Sequence, residues 1–271
     1  MEMYVLTKDK RQNETCSCEL SQELDLATSI QQLLFPQSSP ICSWCCIGVK
    51  NRMAQGLGGD FFDFIEMRDG CQTLYLGDVT GHGLHASVIM SLIYGFIHHA
   101  SLDDCNPLAT ITGINRLLRH FAARSQQYDH LFSTTIFFAI IDPKSLKMHY
   151  INCGHINPLI RRENQLIRLE STAPPLGFFE DPEVRQGTFE FRAGDRLLLY
   201  TDGLSEAVNS SGEQYGNHRI EAALMDLEDD HMQLLGEIYQ RAADFGCVSP
   251  PVDDCTAIVL DFHKPLSGVQ N

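Results

Sequence analysis

Positive charge is scarce in this sequence. Twenty Lys and Arg stand against 35 Asp and Glu, giving a formal net charge of -15 over 271 residues. Nucleic-acid phosphates and anionic membrane surfaces repel such a chain, which argues against sequence-independent binding to either; the same charge suits cations. No apolar run reaches the roughly 18 residues of a membrane-spanning helix. The opening stretch MEMYVLTKDKRQNETCSCEL lacks the apolar core of a signal peptide. The expectation is a cytoplasmic protein with reduced thiols. Among its ten cysteines, Cys16 and Cys18 form CxC, and Cys42, Cys45 and Cys46 form CxxCC. No second CxxC and no histidine at fixed spacing completes a zinc site, so free, mostly buried thiols are expected. Also missing are the phosphate loop GxxxxGK[ST], the serine elbow GxSxG, internal repeats and low-complexity tracts.

What is present is an ordinary globular balance, 44% hydrophobic and 20% charged. The length suits one large domain with a short extension, which can bury roughly 70–75% of its unfolded surface. Residues 1–15 are polar and show no clear period. From Leu20 to Phe35 the spacing predicts a helix, with Leu20, Leu24, Ala27, Gln31 and Leu34 on one stripe at coiled-coil spacing and Ile30 and Leu33 widening it. Pro36 ends it. The stripe could cover its own domain or a second copy, and the pattern does not separate the two. PQSSP (36–40) reads as a linker.

Beyond residue 41 the pattern is mixed. ICSWCCIGVK reads as a strand. FFDFIEM and CQTLYLGDV flank RDG as a hairpin. Residues 84–100 and 106–123 read as consecutive helices, the second capped by Asn106 with Pro107 at its first position. Strands return over 132–142 and 146–154, in PLIRR and LIRLE, and in GTFEFRAGDRLLLYTDG on either side of AGD. Two more helices and the strand CTAIVLDF (255–262) close the chain. Hairpin-linked strands with segregated helix pairs predict an α+β fold, with helices covering the outer faces of packed antiparallel sheets.

Aspartates stand at the edges of apolar strands in four places, beside glycine or a second acid: Asp60 in GGDFFD, Asp78 in LGDVTGHG, Asp202 in LYTDGLSE and Asp253-Asp254 in VDDCT. Singly, each could be a turn residue. Together, carboxylates repel unless they are protonated or share a cation, and an oxygen-only set suits Mg²⁺ or Mn²⁺. Two such ions roughly 4 Å apart can hold a phosphate and activate a bridging water.

The set GGDFFDF, LGDVTGHGLHAS, INCGHINPLI, GDRLLLYTDGLSEAVN and DDCTAIVL, in this order from about Ile41 to Phe262, resembles the SpoIIE/RsbU-like bacterial branch of the metal-dependent protein phosphatases (PPM, type 2C-like). LATSIQQLLFP is similar to the linker helix that often precedes that domain. The resemblance implies a four-layer αββα sandwich of two antiparallel sheets flanked by helix pairs, preceded by an N-terminal helix. It divides the chain into a segment 1–40 with a switch helix over about 20–35, a phosphatase domain 41–263 and a tail 264–271.

By the same resemblance the protein would be a serine/threonine phosphatase with two Mn²⁺ or Mg²⁺ ions, attacking phosphorus with a metal-bridging hydroxide. Asp78 would bridge both metals and the Val79 carbonyl would bind one. Asp60 would act on that same metal directly or through water, and Asp202 and Asp253 would complete the other. Asp254, where many relatives carry asparagine, would support the site, and Gly59, Gly81, Gly83 and Gly203 would shape its loops. His82 is a candidate proton donor to the leaving serine; His155 matches an element expected to be structural. No arginine is placed like the phosphate-binding one of eukaryotic type 2C enzymes. The implied substrate is a phosphorylated anti-sigma-factor antagonist (a STAS-like protein) or a similar partner-switching protein, with a possible upstream regulator and a homodimer through Leu20–Phe35.

Two rival readings remain. GGDFF resembles the GGDEF hairpin of diguanylate cyclases, but Phe61 and Phe62 stand where that chemistry needs a second acid. A catalytically silent PPM-fold interaction module would use the acidic surface and the leucine stripe equally well, and would survive loss of Asp78 and Asp202.

Overall fold

In the computed structural model, residues 5–38, 42–102, 106–124, 127–227 and 230–263 are described, with side chains from Leu20 onward. Ten strands and six helices follow in the order α1 (Val5–Leu34), β1 (Cys45–Arg52), β2 (Phe61–Glu66), β3 (Gln72–Val79), α2 (Leu84–Ala100), α3 (Pro107–Ala122), β4 (Thr134–Asp142), β5 (Lys147–Cys153), β6 (Leu159–Arg162), β7 (Gln165–Arg168), β8 (Gly187–Glu190), β9 (Arg196–Tyr200), α4 (Asp202–Ser205), α5 (Asn217–Asp226), α6 (His231–Asp244) and β10 (Cys255–Phe262). They form two five-stranded sheets, ordered β1-β10-β9-β6-β7 and β2-β3-β4-β5-β8, antiparallel throughout. Helices α2 and α3 lie on the second sheet and α5 and α6 on the first. The fold is therefore the expected αββα sandwich.

Strand β10 shows how the layers close. Its residues are nearly all buried, yet Ile258, Leu260 and Phe262 join the core between the sheets while Ala257 and Val259 join a second core under α5 and α6. Alternation at period two serves both faces of a doubly covered strand. The aromatic side chains Phe61, Tyr75, Phe137 and Phe138 are fully buried in the first core. Burying such a side chain contributes on the order of 1.5–3 kcal/mol.

Local chemistry sets the boundaries. Asn106 caps α3 by accepting from the Ala109 N–H, with Pro107 in the first turn. Asp230 caps α6 by accepting from Met232 and Gln233. The β2–β3 turn has Gly70 at φ +83°, and the Asp69 carboxylate accepts from the Cys71 N–H.

Three features were missed or left open by the sequence pattern. First, α1 begins at Val5 and not near Leu20. Residues 5–19 lack an apolar period, but they hold no proline or glycine and many strong helix formers, so their propensity favours helix. Second, the leucine stripe is divided. Its C-terminal part packs on the chain's own core: Gln31 is buried, Phe35 stacks on Phe62 at 5.0 Å, and the Tyr94 hydroxyl donates to the Leu34 carbonyl. Leu20, Leu24, Leu26, Ile30 and Leu33 remain exposed. Third, the two strands around AGD, whose pairing the sequence left open, belong to different sheets: β8 pairs with β5, whereas β9 pairs with β10 and β6. The crossing is pinned by Asp195, which accepts from the Arg162 guanidinium and from the Arg192 N–H.

The first strand starts at Cys45, and strand alternation separates the cysteines. Cys45 enters the core, while Cys46 faces away, its Sγ 3.2 Å from His263 Nε2. The CxxCC group therefore does not converge on one point. The side chains of Cys16 and Cys18, and parts of PQSSP, lie outside the described residues. Among the described residues no helix is long and apolar enough to cross a membrane.

Candidate active site

The strand-edge aspartates come together at one edge of the sandwich. Asp60 immediately precedes β2, and Asp78 is the penultimate residue of β3. The register Phe61↔Gly77 sets these two acids opposite each other, and the Val79 N–H reaches the Gly59 carbonyl at 3.3 Å. The other sheet supplies the rest. Asp202 follows β9 at the start of α4, and Asp253-Asp254 lead into β10, the neighbour of β9. Each sheet alone holds only half of the acids; stacking the sheets unites them.

Hydrogen bonds stitch the halves together. Asp60 Oδ2 accepts from Thr201 Oγ1 at 2.9 Å and from Thr256 Oγ1 at 2.5 Å, so a carboxylate on one sheet is held by two hydroxyls on the other. Asp254 is buried and accepts from two backbone donors, Ala54 N–H through Oδ1 and Gly59 N–H through Oδ2, both at 2.8 Å. Asp253 Oδ1 accepts from the Asp254 N–H. Thr134 Oγ1 donates to the Asp78 carbonyl at 2.6 Å. The three threonines and the reaching role of Asp254 were not assigned from sequence. The sequence signal was Thr201 beside Asp202 in YTDG and Thr256 two residues after Asp254 in DDCT; Thr134 carried none.

The glycines allow close approach. A Cβ on Gly59 would stand 2.8 Å from the Val79 carbonyl oxygen and 3.2 Å from Asp78 Oδ1, and one on Gly203 would stand 2.1 Å from the Asp254 carbonyl oxygen. Gly81 and Gly83 carry the β3–α2 loop through the left-handed region.

Electrostatically the acids oppose one another. Burial, then the charges of Asp202, Asp253 and Asp254, push the Asp78 carboxyl up to about 8. Burial, then Asp78 and Asp254, raise Asp60 well above the carboxylate range, although the threonine hydroxyls pull the other way. Asp202 and Asp253 are raised by burial and by their acidic neighbours. Asp60 Oδ1 is buried with no hydrogen-bond partner among the described residues. Among the described residues no three His, Cys, Asp or Glu side chains are already gathered around a common ion-sized point. The donor set nonetheless fits a hard divalent cation: it is all oxygen, it is self-repelling, and it includes an orphaned carboxylate oxygen.

The two histidines differ in kind. His82 is exposed in the β3–α2 loop, near enough for its charge to lower Asp253. His155 is buried between the sheets, where its N–H donates to Asn152 Oδ1 and its Nδ1 lies 3.1 Å from Thr135 Oγ1. Burial lowers its pKa to about 4, which keeps the ring neutral at physiological pH.

The family of Stage II sporulation protein E (SpoIIE) matches residues 68–263, a span that holds Asp78, Asp202 and Asp253 and leaves Asp60 outside. Protein IcfG of Synechocystis sp. is 25% identical over 262 residues, covering 88% of this chain and 41% of that protein. Phosphoserine phosphatase RsbU of Bacillus subtilis is 24% identical over 196 residues, covering 72% of this chain and 56% of RsbU. The chain thus spans about half the length of these relatives. In fold it is similar to the SiaA-PP2C domain of Pseudomonas aeruginosa, with a TM-score of 0.74 and 18% identity over 91% of this chain and 98% of that one. RsbX, solved in complex with magnesium, is similar with a TM-score of 0.61 and 14% identity over 83% of this chain and 98% of RsbX. With more than half of its length matched and its αββα sandwich shared with PP2C-type structures, the chain belongs to the SpoIIE family.

Proposed function

We propose that this chain hydrolyses phosphoserine or phosphothreonine on a partner protein, using divalent metal held by the acids at the sandwich edge. The observation that carries this reading is the meeting of Asp60 and Asp78 from one sheet with Asp202 and Asp253 from the other, in a family whose named relatives include a phosphoserine phosphatase. Asp78, Asp202 and Asp253 would hold Mg²⁺ or Mn²⁺, joined by the Val79 carbonyl, with Asp60 as a fifth oxygen donor. When bound, such cations neutralise phosphoryl oxygens and lower the pKa of water. The protein's part is positional. Thr201 and Thr256 orient Asp60, and Asp254 fixes the loop that carries Gly59. His82 would give a proton to the leaving serine oxygen, a role supported by its exposure in the β3–α2 loop and its electrostatic reach to Asp253.

By family, the substrate is a phosphorylated anti-sigma-factor antagonist or a related partner-switching protein in the cytoplasm. Residues 41–263 form the phosphatase domain. Residues 1–40 form a regulatory segment whose exposed leucines mediate homodimerisation.

The test is hydrolysis of p-nitrophenyl phosphate and of a phosphoserine peptide with Mn²⁺, with Mg²⁺ and with chelator, by the parent and by Asp78→Asn. Metal-dependent turnover lost in the variant supports the reading. Absence of both turnover and metal binding in the parent overturns it and leaves a silent interaction module.

A further inference from the structure

A cleft of about 580 Å³ opens between α3 and the segment 180–184. Its helical wall carries Arg116, Arg119 and His120, which share a face at i, i+3 and i+4. Arg124 extends that wall, its Nη2 2.8 Å from His120 Nε2. Arg119 donates from Nη1 to the Gly177 carbonyl at 3.3 Å, yet its Nε–H is buried with no acceptor among the described residues. Arg116 is exposed and faces the same cleft. On a chain of net charge -15, this is a local concentration of cations. The opposite wall carries Glu180 and Asp181, and Phe178 and Phe179 stand exposed on the same segment just before it.

The cleft is tied to the acid edge. Asn115 accepts from the Gly177 N–H and donates to the Phe179 carbonyl, fixing the segment on α3. Leu176 bridges to Thr134, and Ser133 accepts from the Thr80 N–H, two residues beyond Asp78.

We propose that the cleft between α3 and residues 178–184 is a docking site for a segment of the phosphoprotein substrate that presents acidic side chains to Arg116 and Arg119. This rests on the phosphatase reading above. The occupant follows from charge. Unpaired guanidinium donors select carboxylates. The surrounding acidic surface repels an anionic segment elsewhere, which confines it to this wall. Glu180 and Asp181 face the guest's other side and admit a basic or polar residue there. Phe178 and Phe179 offer apolar anchorage at the rim.

The experiment compares three phosphoserine peptides that differ only in flanking Glu, Gln or Lys, with p-nitrophenyl phosphate as a substrate too small to reach the cleft. The parent and Arg116→Glu are assayed. The expected result is a KM about three- to tenfold lower for the Glu-flanked than for the Gln-flanked peptide in the parent, and loss of that advantage in Arg116→Glu, as for one or two partly exposed charge contacts. An unchanged ratio in Arg116→Glu, or a parent preference for the Lys-flanked peptide, overturns the proposal. If the parent does not hydrolyse the ester with either metal, the phosphatase reading has failed. The cleft is then judged by fluorescence anisotropy of the labelled Glu-flanked peptide: weaker binding to Arg116→Glu supports the site, and equal binding overturns it.

Discussion

The side-chain amide of Gln31 clasps the backbone of Gly58. Nε2 donates to the Gly58 carbonyl at 2.8 Å, and Oε1 accepts from the Gly58 N–H at 3.1 Å. Gly58 is followed by Gly59, which donates to Asp254 and lies against Val79 and Asp78. Helix α1 thus touches the acid edge through the buried Gln31.

Replacing Gln31 with Ala leaves two backbone groups unpaired, which costs about 1–3 kcal/mol. The same substitution frees the 58–59 loop, so metal-dependent turnover falls as well. Gln32→Ala, on the exposed face, changes stability by less than about 0.5 kcal/mol. Urea midpoints and ester hydrolysis on both variants check this. Equal behaviour of the two would show that the clasp is idle.

The acid edge gives the metal-free protein a pH signature. Asp78 is pushed up to about 8 in the fold against an ordinary 3.8. Between those values the folded state keeps a proton that the unfolded chain has released. Stability is therefore fully present below about 4 and is lost as pH rises through about 8, by up to about 1.4 kcal/mol per pH unit for one proton. Asp60, Asp202 and Asp253 shift in the same direction. In chelator, Tm should fall from pH 5 to pH 8, and Asp78→Asn should fall less. Mn²⁺ should restore Tm at pH 8 in the parent and not in the variant. A flat parent profile in chelator would contradict the burial of these acids.

Asp254 accepts with both oxygens, so an amide cannot replace it in place. Asp254→Asn puts an NH₂ against either Ala54 N–H or Gly59 N–H and loses one of the two bonds. The expected loss is about 1–3 kcal/mol together with weaker metal affinity, although the variant carries less repulsion. Calorimetry of Mn²⁺ binding and thermal unfolding would read both effects. An Asn variant matching the parent in both would mean that Asp254 is not needed to hold the 53–60 loop.

The exposed leucines of α1 predict self-association. Leu24→Glu combined with Leu33→Glu should lower the mass measured by light scattering from dimer to monomer and leave the Gln31 contact intact. A parent that is monomeric at tens of micromolar would dismiss the dimer.

Much of this architecture was legible in the chain. Apolar alternation and helical spacing marked nearly every strand and helix from β1 onward, because a core face must repeat at the period of its element. Asn106-Pro107, RDG and the strand-edge aspartates announced themselves through local chemistry. The N-terminal half of α1 was missed because its sequence shows no apolar period, only helix propensity. The sheet change between β8 and β9 was missed because adjacent strands look alike whether or not they pair.

Only the tertiary structure decided which side chains meet. Which face of α1 would be covered depended on Gly58 and Phe62, far along the chain. The bond from Thr201 and Thr256 to Asp60 spans 141 and 196 residues of separation, and no local pattern encodes it. The amino-acid sequence determined the elements, the acidic charge and the presence of four strand-edge acid sites, since these follow from composition and short-range periodicity. The stacking of two sheets determined that those acids share one edge, because packing, not spacing, brings distant residues into contact.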